Sequence, residues 1–264
     1  MSLVTAVKQL SIASGLFRPA SDLSRRLRPE GKHNFLNNVH FYQRLLPAGA
    51  LCFDVGANVG MKSEALLGAG MRVVAFEPNP QLLPELRARC DHDSNWMLVP
   101  TAMGSGPGIA TLNVRRQHGL SSLNQDWQGG RASQYPVISR CHVPVVTLDA
   151  AIANFGKPFY GKIDVEGWEL EVLKGLTQPI PLVSFEFHLF DEDITKTVAC
   201  LKRLLELGAD QVNIMPSEGY AFHLPEWAAL EQFVQQFPGD LKRSLPGDPQ
   251  DLFADIFVRL SSAV

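Results

Sequence analysis

Nothing in the 264 residues approaches 18 consecutive apolar positions, so no stretch reads as a membrane-spanning helix. The N-terminus lacks both a basic start and a continuous apolar run, which argues against a secretory leader and makes the cytoplasm the expected compartment. Cysteine is scarce and scattered: Cys52, Cys90, Cys141 and Cys200 form no C-x-x-C pair and no zinc spacing, so neither a disulfide framework nor a zinc module is expected. Cys52, inside an apolar run, reads as a buried inert thiol. Charge of one sign is also missing. With 24 Lys and Arg against 27 Asp and Glu, the net charge of −3 creates no basic field for nucleic acid or an anionic membrane surface. Repeats and low-complexity tracts are absent.

What is present is enough apolar material, 45% of the chain, for one sizeable α/β core. Its pivot is Leu51 to Gly60, LCFDVGANVG. Leu51, Cys52 and Phe53 read as a buried strand, and the glycine-bearing turn after Asp54 runs into a helical pattern that reaches Leu67. Gly56 would let the backbone approach a ligand, Gly60 would let the helix pack close to the strand, and the helix start offers free N–H groups. The spacing departs from the dinucleotide fingerprint, because Asn58 stands where a second glycine belongs. Asp54 puts a carboxylate where a pyrophosphate would have to approach, which favours a ligand with a cationic end. The second strand, Met71 to Phe76, ends in Glu77-Pro78-Asn79-Pro80. An acidic residue about 20 positions beyond the glycine turn is placed to accept hydrogen bonds from both ribose hydroxyls of an adenosine. With Gly56 and Gly60 alone, an ordinary tight strand-to-helix connection would explain the turn as well.

Further on, residues two apart on a strand share a face. In Phe159 to Val165 and just beyond, this sets Lys162, Asp164 and Glu166 together, and in Leu182 to Phe187 it sets Glu186 with His188. If these two strands are neighbours, three carboxylates, a lysine and a histidine converge on one crevice. A Lys162 to Glu186 ion pair is the structural alternative. Carboxylate oxygens with an imidazole would suit magnesium or manganese, but a metal is possible rather than favoured.

The segments FDVGANVG, VVAFEPNP, VTLDAAI, KIDVEGWELEVLKGL and FEFH, in that order over Leu51 to His188, resemble the FkbM family of S-adenosylmethionine-dependent methyltransferases. The resemblance implies a Rossmann-like class I methyltransferase fold: a seven-stranded, mostly parallel sheet with helices on both faces, the last two strands an antiparallel hairpin at the sheet edge. It implies S-adenosylmethionine as methyl donor and a hydroxyl acceptor, small or glycan-like. On the donor side it places Asp54, Gly56, Asn58, Gly60, Glu77, Pro78, Asp164 and Met103, the last in a turn that borders the adenine. Asp164, Glu166, Glu186 and His188 are the candidate catalytic residues, and Ser121, Ser122 and Lys162 the candidate acceptor contacts. The competing classes are an NAD-dependent oxidoreductase on a similar sheet, which Asp54 and Asn58 disfavour, and a cofactor-binding module without catalysis.

The expected organisation is an N-terminal helical extension over residues 1–50, with helices over 2–16 and 33–46, and one methyltransferase domain over 51–264. The first helix is expected to pack on the body, and the basic cluster from Arg18 to Lys32 to be a solvated connector. The second strand is followed by a helix over 80–90 and a third strand over 96–102. Residues 106–140 break the rhythm of strand and helix as an antiparallel ribbon with a long loop over the site, whose Arg115, Arg116, His118, Arg131 and Arg140 would either meet an anionic acceptor or form a solvated face. A strand over 210–215, a helix near 226–237 and a last strand over 252–260 complete the chain.

Overall fold

Leu51–Val55 forms β1, four of whose five residues are buried, as a central strand covered on both faces requires. The computed structural model describes residues 29–125, 135–188, 191–216, 220–237 and 253–263. The helix expected over residues 2–16 and the arginines of the following cluster lie outside them.

Parallel strands Arg72–Phe76 (β2) and Trp96–Val99 (β3) continue the sheet on one side of β1. On the other side lie Tyr160–Ile163 (β7) and Leu182–His188 (β8), also parallel. The chain thus builds outward from β1 in one direction, then returns and builds in the other. A crevice opens where the order reverses, at the carboxyl ends of β1 and β7.

Eight strands share this sheet where seven were expected. The addition is Ala228–Ala229 (β10), a two-residue edge strand against Gln211–Pro216 (β9). Phe253–Arg259 (β11) does pair antiparallel with β9, but it inserts between β8 and β9 and is no edge strand. The expected third strand also divides. After β3, residues Ala102–Met103 (β4) leave for a second sheet with the ribbon Gly108–Arg115 (β5) and Val137–Val146 (β6). Its core of Ala102, Leu112, Val114, Leu123 and Val143 is separate from those of the main sheet.

Helices cover both faces. Phe53 and Val55 point into a core closed by Leu148–Phe155 (α4), Glu169–Lys174 (α5) and Asp191–Glu206 (α6). Thr147 caps α4 by accepting from the Ala150 amide at 3.1 Å. Cys52, Val73, Ala75 and Tyr160 point the opposite way, toward Pro29–Leu45 (α1), Met61–Gly68 (α2) and Leu83–Cys90 (α3). Helix α1 is built into this core: Phe41 meets Phe257 edge-on at 5.7 Å, and Tyr42 is 1% exposed. Burying the Phe41 ring contributes about 1.5–3 kcal/mol. Leu230–Gln236 (α7) follows β10 as the helix expected near 226–237. Among the described residues, no helix is long and apolar enough to cross a membrane.

Candidate active site

The crevice is built on a backbone contact. At Gly56, φ is +80°, and a Cβ placed there would lie 1.8 Å from the carbonyl oxygen of Asp164, so only glycine lets β1's turn meet the end of β7. Asn58 follows with φ 52°, a left-handed geometry that asparagine tolerates better than most residues, and its amide donates to Glu77 Oε2 at 2.8 Å. The Asn79 amide donates to Glu77 Oε1, also at 2.8 Å. Burial pushes the Glu77 carboxyl up to about 7, against the pull of these two amides. Each carboxylate oxygen keeps accepting capacity for a further donor.

Around this floor lie apolar walls from Phe76, Pro78, Leu82, Met103, Leu112 and Leu123, enclosing about 610 Å³ of empty space with the open mouth included. The expected donor residues Gly56, Asn58, Glu77, Pro78, Met103 and Asp164 all line it. Gly60 does not. It serves packing, since a Cβ there would sit 2.5 Å from Leu86 Cδ1.

Two of the expected residues stand behind the crevice. Asp54 is fully buried, accepts from Ser63 Oγ at 2.7 Å and lies 3.7 Å from Lys162 Nζ. Lys162, 5% exposed, donates to Asp164 Oδ2 at 2.8 Å. Asp54 shares its face of β1 with Cys52, turned toward α2, whereas Val55 is the neighbour that reaches the crevice. Its charge is therefore spent on Lys162, which has both Asp164 and Asp54 as ion-pair partners. These two carboxylates hold the Lys162 ammonium above the usual lysine range despite burial.

Asp164, Glu166 and Glu186 do converge, each with a carboxylate oxygen within 4.8 Å of the others, a spacing that would admit a divalent cation. Burial first, then the neighbouring carboxylates, push Glu166 and Glu186 well above the usual carboxylate range. Glu166 lies beyond the end of β7 with φ 57°, so the loop sets its position, not strand alternation. Three side chains brace that loop. Glu169 accepts from the Val165 and Gly167 amides at 3.2 and 3.1 Å, Ser122 Oγ donates to the Glu166 carbonyl at 2.7 Å, and Asn124 Nδ2 donates to the Gly167 carbonyl at 3.2 Å.

Ser121 and Ser122 line the crevice, yet both hydroxyls have work within the protein, since Ser121 Oγ accepts from the Arg115 amide at 3.1 Å. The backbone of His188 ends β8 opposite Phe253, and its side chain lies outside the described residues. Of the loop cations, Arg115 donates to the Tyr135 carbonyl at 2.6 Å and Arg140 to Asn113 Oδ1 at 2.9 Å, so neither is a loose loop cation. Arg131 and the His118 side chain lie outside the described residues. Sequence reasoning missed Glu169, whose only signal was its place two residues after Gly167, and Asp255, set opposite Glu186 by the β8–β11 register.

A glycine turn pressed against the end of β7, an acidic side chain at the end of β2 and an apolar slot beside them fit the ribose and base of an adenosyl group. Fold and crevice together define a class I methyltransferase. Residues 54–222 match the Methyltransferase FkbM domain, and the chain belongs to this family of S-adenosylmethionine-dependent methyltransferases, which removes the oxidoreductase alternative. A curated relative, the hexuronic acid methyltransferase AglP of Haloferax volcanii, is 28% identical over 169 residues, 59% of this chain and 64% of that protein, so the match spans less than two thirds of the relative's length. Among solved structures, the precorrin-6y C5,15-methyltransferase of Geobacter metallireducens aligns with TM-score 0.45 at 13% identity over 85% of this chain and 87% of that one. The fibrillarin of Aeropyrum pernix with bound S-adenosyl-L-methionine aligns with TM-score 0.41 at 11% identity over 80% and 66%.

Proposed function

We propose that the chain methylates a hydroxyl oxygen of a small, sugar-like acceptor. The observation that carries this reading is the cluster of Asp164, Glu166 and Glu186 at the β7 and β8 ends, continuous with the crevice through Asp164 and Glu166. The donor supplies a methyl group on a sulfonium, with a neutral thioether leaving. Glu77 would hold the two ribose hydroxyls, and Gly56 and Asn58 the approach of the backbone. Asp164 and Glu166 would face the cationic end of the donor.

A sugar hydroxyl is a weak nucleophile at neutral pH, and a positioned base that takes its proton gains typically two to four powers of ten in rate. Glu186, its carboxyl raised by burial, has the basicity for that task, and His188 ends the same strand. Acceptor contact by Ser121, Ser122 and the loop over the crevice belongs to the same proposal. The curated relative acts on a hexuronic acid, which supports a sugar acceptor. A clustered set of carboxylates favours a neutral hydroxyl over an anionic carboxylate as the attacking group, because like charges repel strongly where water is scarce.

The test incubates the purified protein with S-adenosylmethionine and a panel of monosaccharides, uronic acids and their reduced alcohols, reading release of S-adenosylhomocysteine and the methylated position by mass spectrometry. Methylation at a ring hydroxyl is the expected result. Methylation only at carboxylates, nitrogen or carbon overturns it.

A further inference from the structure

Two buried polar atoms on the crevice wall have no hydrogen-bond partner among the described residues: Nε1 of Trp168 and Oγ1 of Thr101. Unpartnered buried donors are rare in folded proteins, since each loses its water without recompense. The chain just past Thr101 also approaches Trp168. Thr101 joins β3 to β4, and a Cβ on Gly104, just past β4, would be 3.6 Å from Trp168 Nε1. The Trp168 ring packs on both the core of the second sheet and the main-sheet core that β7 and β8 share.

We infer that Trp168 and Thr101 read the edge of the donor's adenine ring. This rests on the donor site proposed above. With Glu77 assigned to the ribose and Asp164 and Glu166 to the sulfonium end, the part of the crevice left for the base is the apolar slot of Met103, Leu112 and Leu123. A flat heteroaromatic ring fits between such walls, but its edge carries ring nitrogens that can only accept and an amino group that donates. An indole N–H can only donate, so Trp168 takes a ring nitrogen; a hydroxyl can accept, so Thr101 takes the 6-amino group. The donor thus satisfies two protein groups that are otherwise orphaned, and a base with C–H in place of the ring nitrogen leaves the indole N–H so. Discrimination of this kind, by stranding buried polar groups, exceeds what wall shape alone provides.

The test measures S-adenosylhomocysteine affinity by titration calorimetry in the wild type, Trp168→Phe, which keeps an aromatic ring without the N–H, and Thr101→Val, an isostere, with melting temperatures of the ligand-free proteins as the folding control. Losing one hydrogen bond of ordinary net strength corresponds to roughly a tenfold loss of affinity, which is the expected result for Trp168→Phe at an unchanged melting temperature. A second arm needs no variant to fold well. The 1-, 3- and 7-deaza analogues each replace one ring nitrogen by C–H, and one of them should bind the wild type about tenfold more weakly, with that penalty absent in Trp168→Phe. In Thr101→Val, the affinity lost when hydrogen replaces the 6-amino group should narrow. Binding of all three deaza analogues within twofold of the parent, or Trp168→Phe within twofold of the wild type, overturns the inference. Failure of the wild type to bind S-adenosylhomocysteine at all overturns the proposed function instead.

Discussion

Gly56 and Asp164 touch through their backbones: any Cβ at position 56 would lie 1.8 Å from the Asp164 carbonyl oxygen. Gly56→Ala must therefore part β1 from β7 at the floor of the crevice, besides forcing a side chain into φ +80°, which costs about 1–2 kcal/mol by itself. The expected outcome is a lowered melting temperature together with at least a tenfold loss of S-adenosylhomocysteine affinity, read by differential scanning fluorimetry and calorimetry.

Glu77 links donor binding to pH. Its folded carboxyl titrates at about 7 against an ordinary 4.5, so the stability it contributes to the ligand-free protein is present below about pH 4.5 and is lost as pH rises through about 7. Binding runs the other way, because the ionised form is the better acceptor for two ribose hydroxyls. Affinity for S-adenosylhomocysteine should rise between pH 6 and 8, and Glu77→Gln should flatten that rise. Glu77→Ala should cost on the order of 1–3 kcal/mol of binding at pH 8. A pH-independent wild type would refute the assignment.

Lys162 is predicted to matter for stability before catalysis. Removing it leaves Asp54, fully buried, without its cation, and breaking a buried ion pair from one side costs about 3–5 kcal/mol. Because the ammonium titrates above the usual lysine range, this contribution persists across neutral pH and fades only in strong alkali. Urea denaturation of Lys162→Met at pH 7 measures it. A midpoint equal to the wild type would show that the pair is energetically idle.

Glu186 and His188 are expected to act on the acceptor alone. Glu186→Gln and His188→Ala should keep S-adenosylhomocysteine binding within about 1 kcal/mol yet lose a factor of roughly 100 in turnover. The rise of turnover with pH should flatten in whichever variant lacks the base. Normal turnover in both would make the pair structural.

The three clustered carboxylates are expected to work without a metal ion, since Asp164 already has the Lys162 ammonium as a partner at 2.8 Å. Chelation should leave turnover unchanged. Turnover that vanishes with chelator and returns with magnesium or manganese contradicts this.

Local order along the chain determined a good deal. A glycine turn after a buried strand, an acid at the end of the next strand and carboxylates near the ends of later ones are short-range patterns, and they located the crevice, Glu77, Asp164 and Glu186, while Glu166 owes its place to a loop that strand alternation does not describe. Only the tertiary structure decided which way the charges point. Strand alternation says that Lys162 and Asp164 share a face but not what lies above that face, so the burial of Asp54 under α2, with Lys162 drawn to it, was settled by how the helices close over the sheet. The departure of β4 into a second sheet, the insertion of β11 between β8 and β9, the bracing of Glu166 by Glu169 and Ser122, and the approach of Trp168 to Gly104 join segments distant in the chain or depend on one loop's backbone. The physical reason is common to them: pairing and packing over long sequence separations depend on which surfaces find each other, and a periodic pattern carries no record of its partner.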